Sequence, residues 1–275
     1  MSFELQEALF QSLIHAPLLC NDLDGIPSFD RNGLGNSARP LKPCELNMEQ
    51  KLGHLYEDVL LYWIRASNRY SLIAQHQQVF DAQKRTLGEL DFLLHDAFSE
   101  EHIHLEIAVK FYLAVKNADG WHYPGPDPRD HWLRKRTHLI EHQLRLSEFP
   151  EACELLQSKW QIGRVVPQHL IYGCIFRPID QLDAPLPASI HPNCRTGQWL
   201  YLSDWHRHFP DLDEVRWVPK PYWPITLTDF ISQQLPIVKA EVFQAKASQR
   251  AVLIRHPLSG APCFVVPDSW SRLSA

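Results

Sequence analysis

Apolar positions recur at two spacings along this chain, and the change from one to the other divides it into elements. At three- and four-residue intervals Phe3, Leu9, Phe10, Leu13 and Ile14 mark a helix over residues 3 to 15. The same interval returns in NMEQKLGHLYEDVLLYWIRAS, where Leu52, Leu55, Tyr56, Val59, Leu60, Trp63 and Ile64 make one stripe. Asn47, three residues before Gln50, is placed to cap that helix. Between the two, Asn21 to Pro43 is rich in Gly, Pro, Asn and Asp and reads as a long irregular connection.

Three short segments follow, YSLIAQHQQVF, GELDFLLHD and HIHLEIAVKFYLAV, apolar and aromatic with polar turns between them. They predict an antiparallel three-strand meander. After the Pro/Gly loop GWHYPGPDPRD, helical spacing resumes in DPRDHWLRKRTHLIEHQLRLS through Leu133, Leu139, Ile140 and Leu144, and again across Glu151 to Trp160. The segment PQHLIYGCIFRP is apolar throughout its centre, as an interior strand is. Beyond Pro178 prolines and tryptophans dominate, and RAVLIRHPLSGAPCFVVPDSW predicts a hairpin around Ser259 and Gly260. The expected architecture is α/β: a first helix and connection over residues 1–46, a core of mixed sheet flanked by helices over 47–178, and a β-rich C-terminal lobe over 179–275 packed on that core.

Composition narrows the function classes. The chain has 275 residues, of which 45% are hydrophobic, so a sizeable core is available and disorder is excluded as the main theme. A net charge of -5 excludes a chain that binds polyanions over its whole surface; any nucleic-acid contact has to be local. No run of 18 apolar residues occurs, and the opening MSFELQEALFQSLIHAPLLC lacks a basic region and a small-residue cleavage site, so the expectation is a cytoplasmic protein without membrane contact. Six cysteines, Cys20, Cys44, Cys153, Cys174, Cys194 and Cys263, form no C-x-x-C pair and are expected as buried free thiols. Walker, G-x-G-x-x-G and G-x-S-x-G motifs are missing, which disfavours nucleotide-driven motors, dinucleotide enzymes and common serine hydrolases.

The chemistry concentrates where strands carry charge. Alternation puts Leu90, Phe92 and Leu94 on one face of the second strand and Glu89, Asp91 and Leu93 on the other. In the third, Ile103, Leu105, Ile107, Val109 and Phe111 share a face opposite His104, Glu106, Ala108 and Lys110. If Leu94 pairs with Ile103, Asp91 comes to lie opposite Glu106. Two opposed carboxylates repel by up to about 1 kcal/mol unless a cation sits between them, and hard oxygen ligands suit magnesium or manganese. Lys110, on the same face, could orient a water nucleophile or neutralise a phosphate. The competing explanation is a sheet whose charged face is simply solvated.

Other groups are weaker signals. His138 and His142, and His102 and His104, are spaced to share a helix face or a strand face, but no third ligand accompanies either pair; His104 adjoins the charged strand face. Arg129, Arg134, Lys135 and Arg136 could form a local phosphate-binding patch or a solvated helix face. Trp199, Trp205, Trp217, Trp223 and Trp270 could stack bases, though core packing accounts for them more simply.

The order helix, three strands, helix, strand, with an acid in the second strand and an acid and a lysine in the third, resembles the PD-(D/E)xK nuclease superfamily, whose core is restriction-endonuclease-like. More narrowly, LGHLYEDVLLYWI, GELDFLL, HLEIAVKFYL and GPDPRD resemble the bacterial domain-of-unknown-function family 1853, over most of the chain. The resemblance implies a magnesium-dependent hydrolase, with manganese as a substitute, cutting phosphodiester bonds of DNA or RNA. By it Asp91 and Glu106 would hold metal, Lys110 would be the catalytic lysine, Glu57 the helical acid, and Gln143 the glutamine of the RecB-like branch, beside the basic residues 129 to 136. One departure stands out: Ala108 occupies the usual acid position, and Glu106 lies roughly 6 to 7 Å further along the strand, on the same face. The alternative is therefore a catalytically weakened nuclease fold that binds nucleic acid or a protein.

Overall fold

The structure is a computed structural model that describes residues 3–35 and 46–270. In chain order its main elements are α1 (Phe3–His15), α2 (Leu52–Ala66), β1 (Tyr70–Phe80), β2 (Thr86–Asp96), β3 (Glu101–Leu113), α3 (Trp132–His138), α4 (Pro150–Trp160) and β4 (Val166–Pro178). These are followed by β5 (Arg195–Tyr201), β6 (Glu214–Val218), β7 (Ile237–Lys239), α5 (Ala240–Ala247), β8 (Val252–Arg255) and β9 (Pro262–Val266). The fold is α/β, with strands paired in both senses and helices covering them.

Two compact units interleave in sequence. One comprises residues 20–109 and 135–171, the other residues 1–19, 110–134 and 172–275. Strands β3 and β4 each begin in the first of these and end in the second.

In the unit of residues 20–109 and 135–171, α2 buries the predicted stripe: Leu55, Tyr56, Val59 and Leu60 are wholly enclosed. The helix starts later than Asn47 suggests, with Lys51 at its N-cap. Asn47 instead closes a turn ahead of it, its Oδ1 accepting from the Glu49 amide, which is the competing use an Asn side chain makes of a nearby backbone donor. Strands β1, β2 and β3 form the expected antiparallel meander, and Leu94 faces Ile103. An apolar layer of Val79, Leu90 and Leu93 packs with Leu146, Ala152, Leu156 and Ile162. The connection expected over Asn21 to Pro43 contains a two-residue strand pair and a short helix, Asn32–Gly35; its remainder, with Cys44, lies outside the described residues.

In the other unit the strands run β7-β6-β8-β9-β5-β4. β8 and β9 make the predicted hairpin, with Leu253 opposite Phe264, while β9 with β5, and β5 with β4, are parallel. Trp205 and Phe243 anchor one core with Val252, Ile254 and Val265. Trp199, Trp205 and Trp270 are buried, as core packing requires. Cys20, Cys174, Cys194 and Cys263 are buried free thiols, but Cys153 is exposed, because it lies on the outer side of α4 while Ala152 and Leu156 face inward.

Candidate functional site

The β2/β3 ladder runs from Asp96 opposite Glu101 to Phe92 opposite Leu105. One step further would set Asp91 against Glu106, and there the bonding changes character. The Ile107 amide donates to Asp91 Oδ2 over 3.0 Å. A side-chain carboxylate thus takes a strand donor, pinning Asp91 beside β3.

Glu106 is 1% exposed and held from two sides. Its Oε1 lies 3.0 Å from Nε2 of His104, a ring with no exposed surface. Its Oε2 accepts from Gln143 Nε2 over 2.7 Å. Behind these, His104 Nδ1 stands 3.3 Å from Ser147 Oγ, and Lys135 Nζ donates to Gln143 Oε1 over 2.6 Å. Gln143 reaches the acid from a π-helical turn, Leu139–Gln143, that continues α3. Such wide turns recur at functional sites because they displace the side chains that follow. His104, noted from the sequence only as adjoining the charged face, is a direct partner of the acid.

A third acid arrives from α2. Glu57 is 8% exposed, and its Oε2 lies 3.0 Å from His54 Nδ1 and 3.4 Å from His76 Nε2. The other nitrogen of His76 is 3.0 Å from Glu89 Oε1. His76 belongs to β1, between Gln75 opposite Phe92 and Gln77 opposite Leu90, yet its φ is 52°. A left-handed backbone costs a residue other than glycine about 1 to 2 kcal/mol. The imidazole between two carboxylates is what that strained position presents.

The electrostatic sum falls on Asp91. Burial first, then the charge of Glu106, and then those of Glu57 and Glu89, push its carboxyl up to about 8, against the opposing bond from Ile107. Three other acids therefore act on Asp91 here. The buried Glu106 and His104 exclude the reading in which this strand face is merely wet at those positions. The same face closes into core at Leu93.

Lys110 lies on the same strand as Glu106, at the start of the other unit. Its Nζ donates to Asp130 Oδ2 over 2.7 Å. The basic residues singled out by the sequence all have partners in the structure. Arg129 pairs with Asp127, Arg134 donates to the Arg129 carbonyl, Lys135 backs Gln143, and Arg136 pairs with Asp24. His138 stacks on His142, their rings 5.1 Å apart, and His102 meets His95. Among the described residues no three His, Cys, Asp or Glu side chains stand as a ready metal cage, and no helix is long and apolar enough to cross a membrane.

Sequence reasoning assembled Asp91, Glu106, Glu57 and Gln143, and also named Glu89. It passed over His54 and His76. His54 had a usable signal, since it precedes Glu57 by three residues and so shares its helix face; His76 had none, because its direction depends on a backbone turn inside a strand.

A family model described as Domain of unknown function (DUF1853) matches residues 30–254 of the chain. No curated protein matches, and no solved structure does.

Proposed function

The chain belongs to the DUF1853 family, and from its acid cluster we propose that it is a metal-dependent nuclease, built on a restriction-endonuclease-like core of the PD-(D/E)xK kind, that hydrolyses phosphodiester bonds of DNA or RNA. The observation that carries this reading is the gathering of acids about Asp91: buried Glu106 on the neighbouring strand, and Glu57 and Glu89, which His76 bridges. Three acids set about a partly buried fourth make a place where a cation would be favoured.

Carboxylate oxygens are the donors a hard cation prefers, and magnesium keeps several waters and needs only one or two carboxylates from the protein. Asp91 and Glu106 would hold it, and when bound it would supply Lewis acidity and a water of lowered pKa. The chain's own residues do the remaining work. Ile107 fixes one oxygen of Asp91; His104 and Gln143 fix Glu106; Lys135 fixes Gln143. Glu57 and Glu89, bridged by His76, are placed to take a proton from a water entering the cluster. Lys110 would serve as a donor to phosphate oxygen.

Ala108 favours a second reading, in which the fold binds nucleic acid or a protein with little turnover. Incubating the protein with mixed single- and double-stranded DNA and RNA, with magnesium or manganese against chelator, separates the two. Metal-dependent cleavage lost in Asp91→Ala and Lys110→Ala is expected. Tight metal-independent binding without cleavage would support the second reading.

A further inference from the structure

The loop GPDPRD has so far been only a mark of family resemblance. The geometry points to a specific job for it: it is a holder for the ammonium of Lys110, with Asp130 as the positioning residue. The inference rests on the nuclease reading for its catalytic consequence, not for the contact itself.

The loop contains two aspartates, and the structure gives them different partners. Asp127 is occupied within the loop: Arg129 donates to it from its backbone amide, from Nε and from a terminal nitrogen, at 3.1, 3.0 and 2.7 Å. This pairing holds the Asp127 carboxyl well below the usual carboxylate range. Asp130 is left to point the other way, its Oδ2 accepting from Lys110 Nζ over 2.7 Å and its Oδ1 standing 3.4 Å from the Tyr112 hydroxyl. One carboxylate thus touches two side chains of the same face of β3.

The backbone around Asp130 is fixed. The Gly125 amide donates to the Asp130 carbonyl over 2.8 Å and the Asp130 amide to the Asp127 carbonyl over 3.0 Å. Leu113 donates to Pro124 over 2.8 Å, which ties the loop to the end of β3. Buried Trp270 caps it, its indole N–H 3.2 Å from the carbonyls of both Gly125 and Pro126. A Cβ on Gly125 would lie 3.2 Å from the Asp127 carbonyl and 3.3 Å from the Asp130 side chain, so the turn is closely packed there.

Pairing Lys110 with Asp130 uses one of its three N–H groups and leaves two to donate, one to a phosphate oxygen and one to water. Held in this way, Lys110 serves as a hydrogen-bond donor. The site acids then have to accept the proton released by an attacking water.

Two arms test this. In the first, the full-length protein is reductively methylated at fixed pH and Lys110 is followed by peptide mass spectrometry. The expected result is labelling of Lys110 at least several-fold faster in Asp130→Asn than in wild type, with Asp130→Glu returning towards wild type; equal rates in all three would overturn the proposal. In the second arm, cleavage of the substrate found in the nuclease screen is measured. Asp130→Asn is expected to lower kcat about 10- to 100-fold with KM little changed, the size seen when a supporting partner of a site residue is lost, and Asp130→Glu to restore part of it. Unchanged kcat in Asp130→Asn beside a Lys110→Ala protein that has lost activity would overturn the positioning role. A wild type without any metal-dependent turnover would refute the nuclease reading, and the labelling arm would still decide whether Asp130 holds Lys110.

Discussion

The side-chain amide of Gln143 donates to Glu106 Oε2 over 2.7 Å, so a residue in a π-helical turn secures a buried acid on a strand 37 positions earlier. Truncating it leaves one oxygen of a nearly inaccessible carboxylate without its donor. Gln143→Ala is expected to cost about 1 to 3 kcal/mol, the desolvation penalty of an unpaired buried acceptor. Equilibrium urea unfolding measures this directly; a loss under about 0.5 kcal/mol, the size of an ordinary surface substitution, would mean that the bond does not hold Glu106.

Asp91 gives the protein a pH dependence whose sign can be worked out. Its native carboxyl is raised to about 8, while in the unfolded chain it titrates near about 3.9. Between those values the folded state binds more protons than the unfolded one, so this group's contribution to stability falls as pH rises from about 4 through about 8. In chelator, the thermal midpoint of wild type relative to Asp91→Asn is expected to drop between pH 5 and pH 9, and added magnesium should reverse the drop. Parallel curves for the two proteins would show that Asp91 does not carry the strain of the cluster.

Gly173 on β4 packs tightly against the backbone of Lys110. A Cβ there would lie 1.8 Å from the Lys110 carbonyl oxygen, and backbone on both sides cannot yield as a side-chain tip can. Gly173→Ala is expected to destabilise by about 3 kcal/mol or more, read as a lowered urea midpoint or as loss of folded protein. A variant of wild-type stability would contradict the close strand packing.

The meander was legible because its strands carry a strong two-residue period and a single register that buries Leu94 and Ile103 together. Asp91 and Glu106 followed from that register, and Glu57 and Gln143 from the family resemblance. The rest depended on geometry that periodicity does not encode. Asn47 looked like a cap because the same side chain serves turns and helix starts equally well. The π-helical turn leaves a helical pattern of apolar residues unchanged while altering where Gln143 points. His76 turns towards Glu57 and Glu89 through a left-handed backbone that no neighbouring residue signals. Asp130 meets Lys110 while Arg129 pairs with Asp127, a division between two aspartates of one loop that the sequence does not signal. The interleaving of the two units, with β3 and β4 passing from one to the other, has no counterpart in composition.

The central claim is that the acids around Asp91 form a divalent-cation site, and calorimetric titration of magnesium and of manganese into folded wild type and Asp91→Ala at pH 8.5 tests it most directly. The account predicts saturable binding by wild type, weaker at pH 6 where Asp91 is protonated, and lost in the variant. Identical isotherms for the two proteins, or no binding by either, would contradict it.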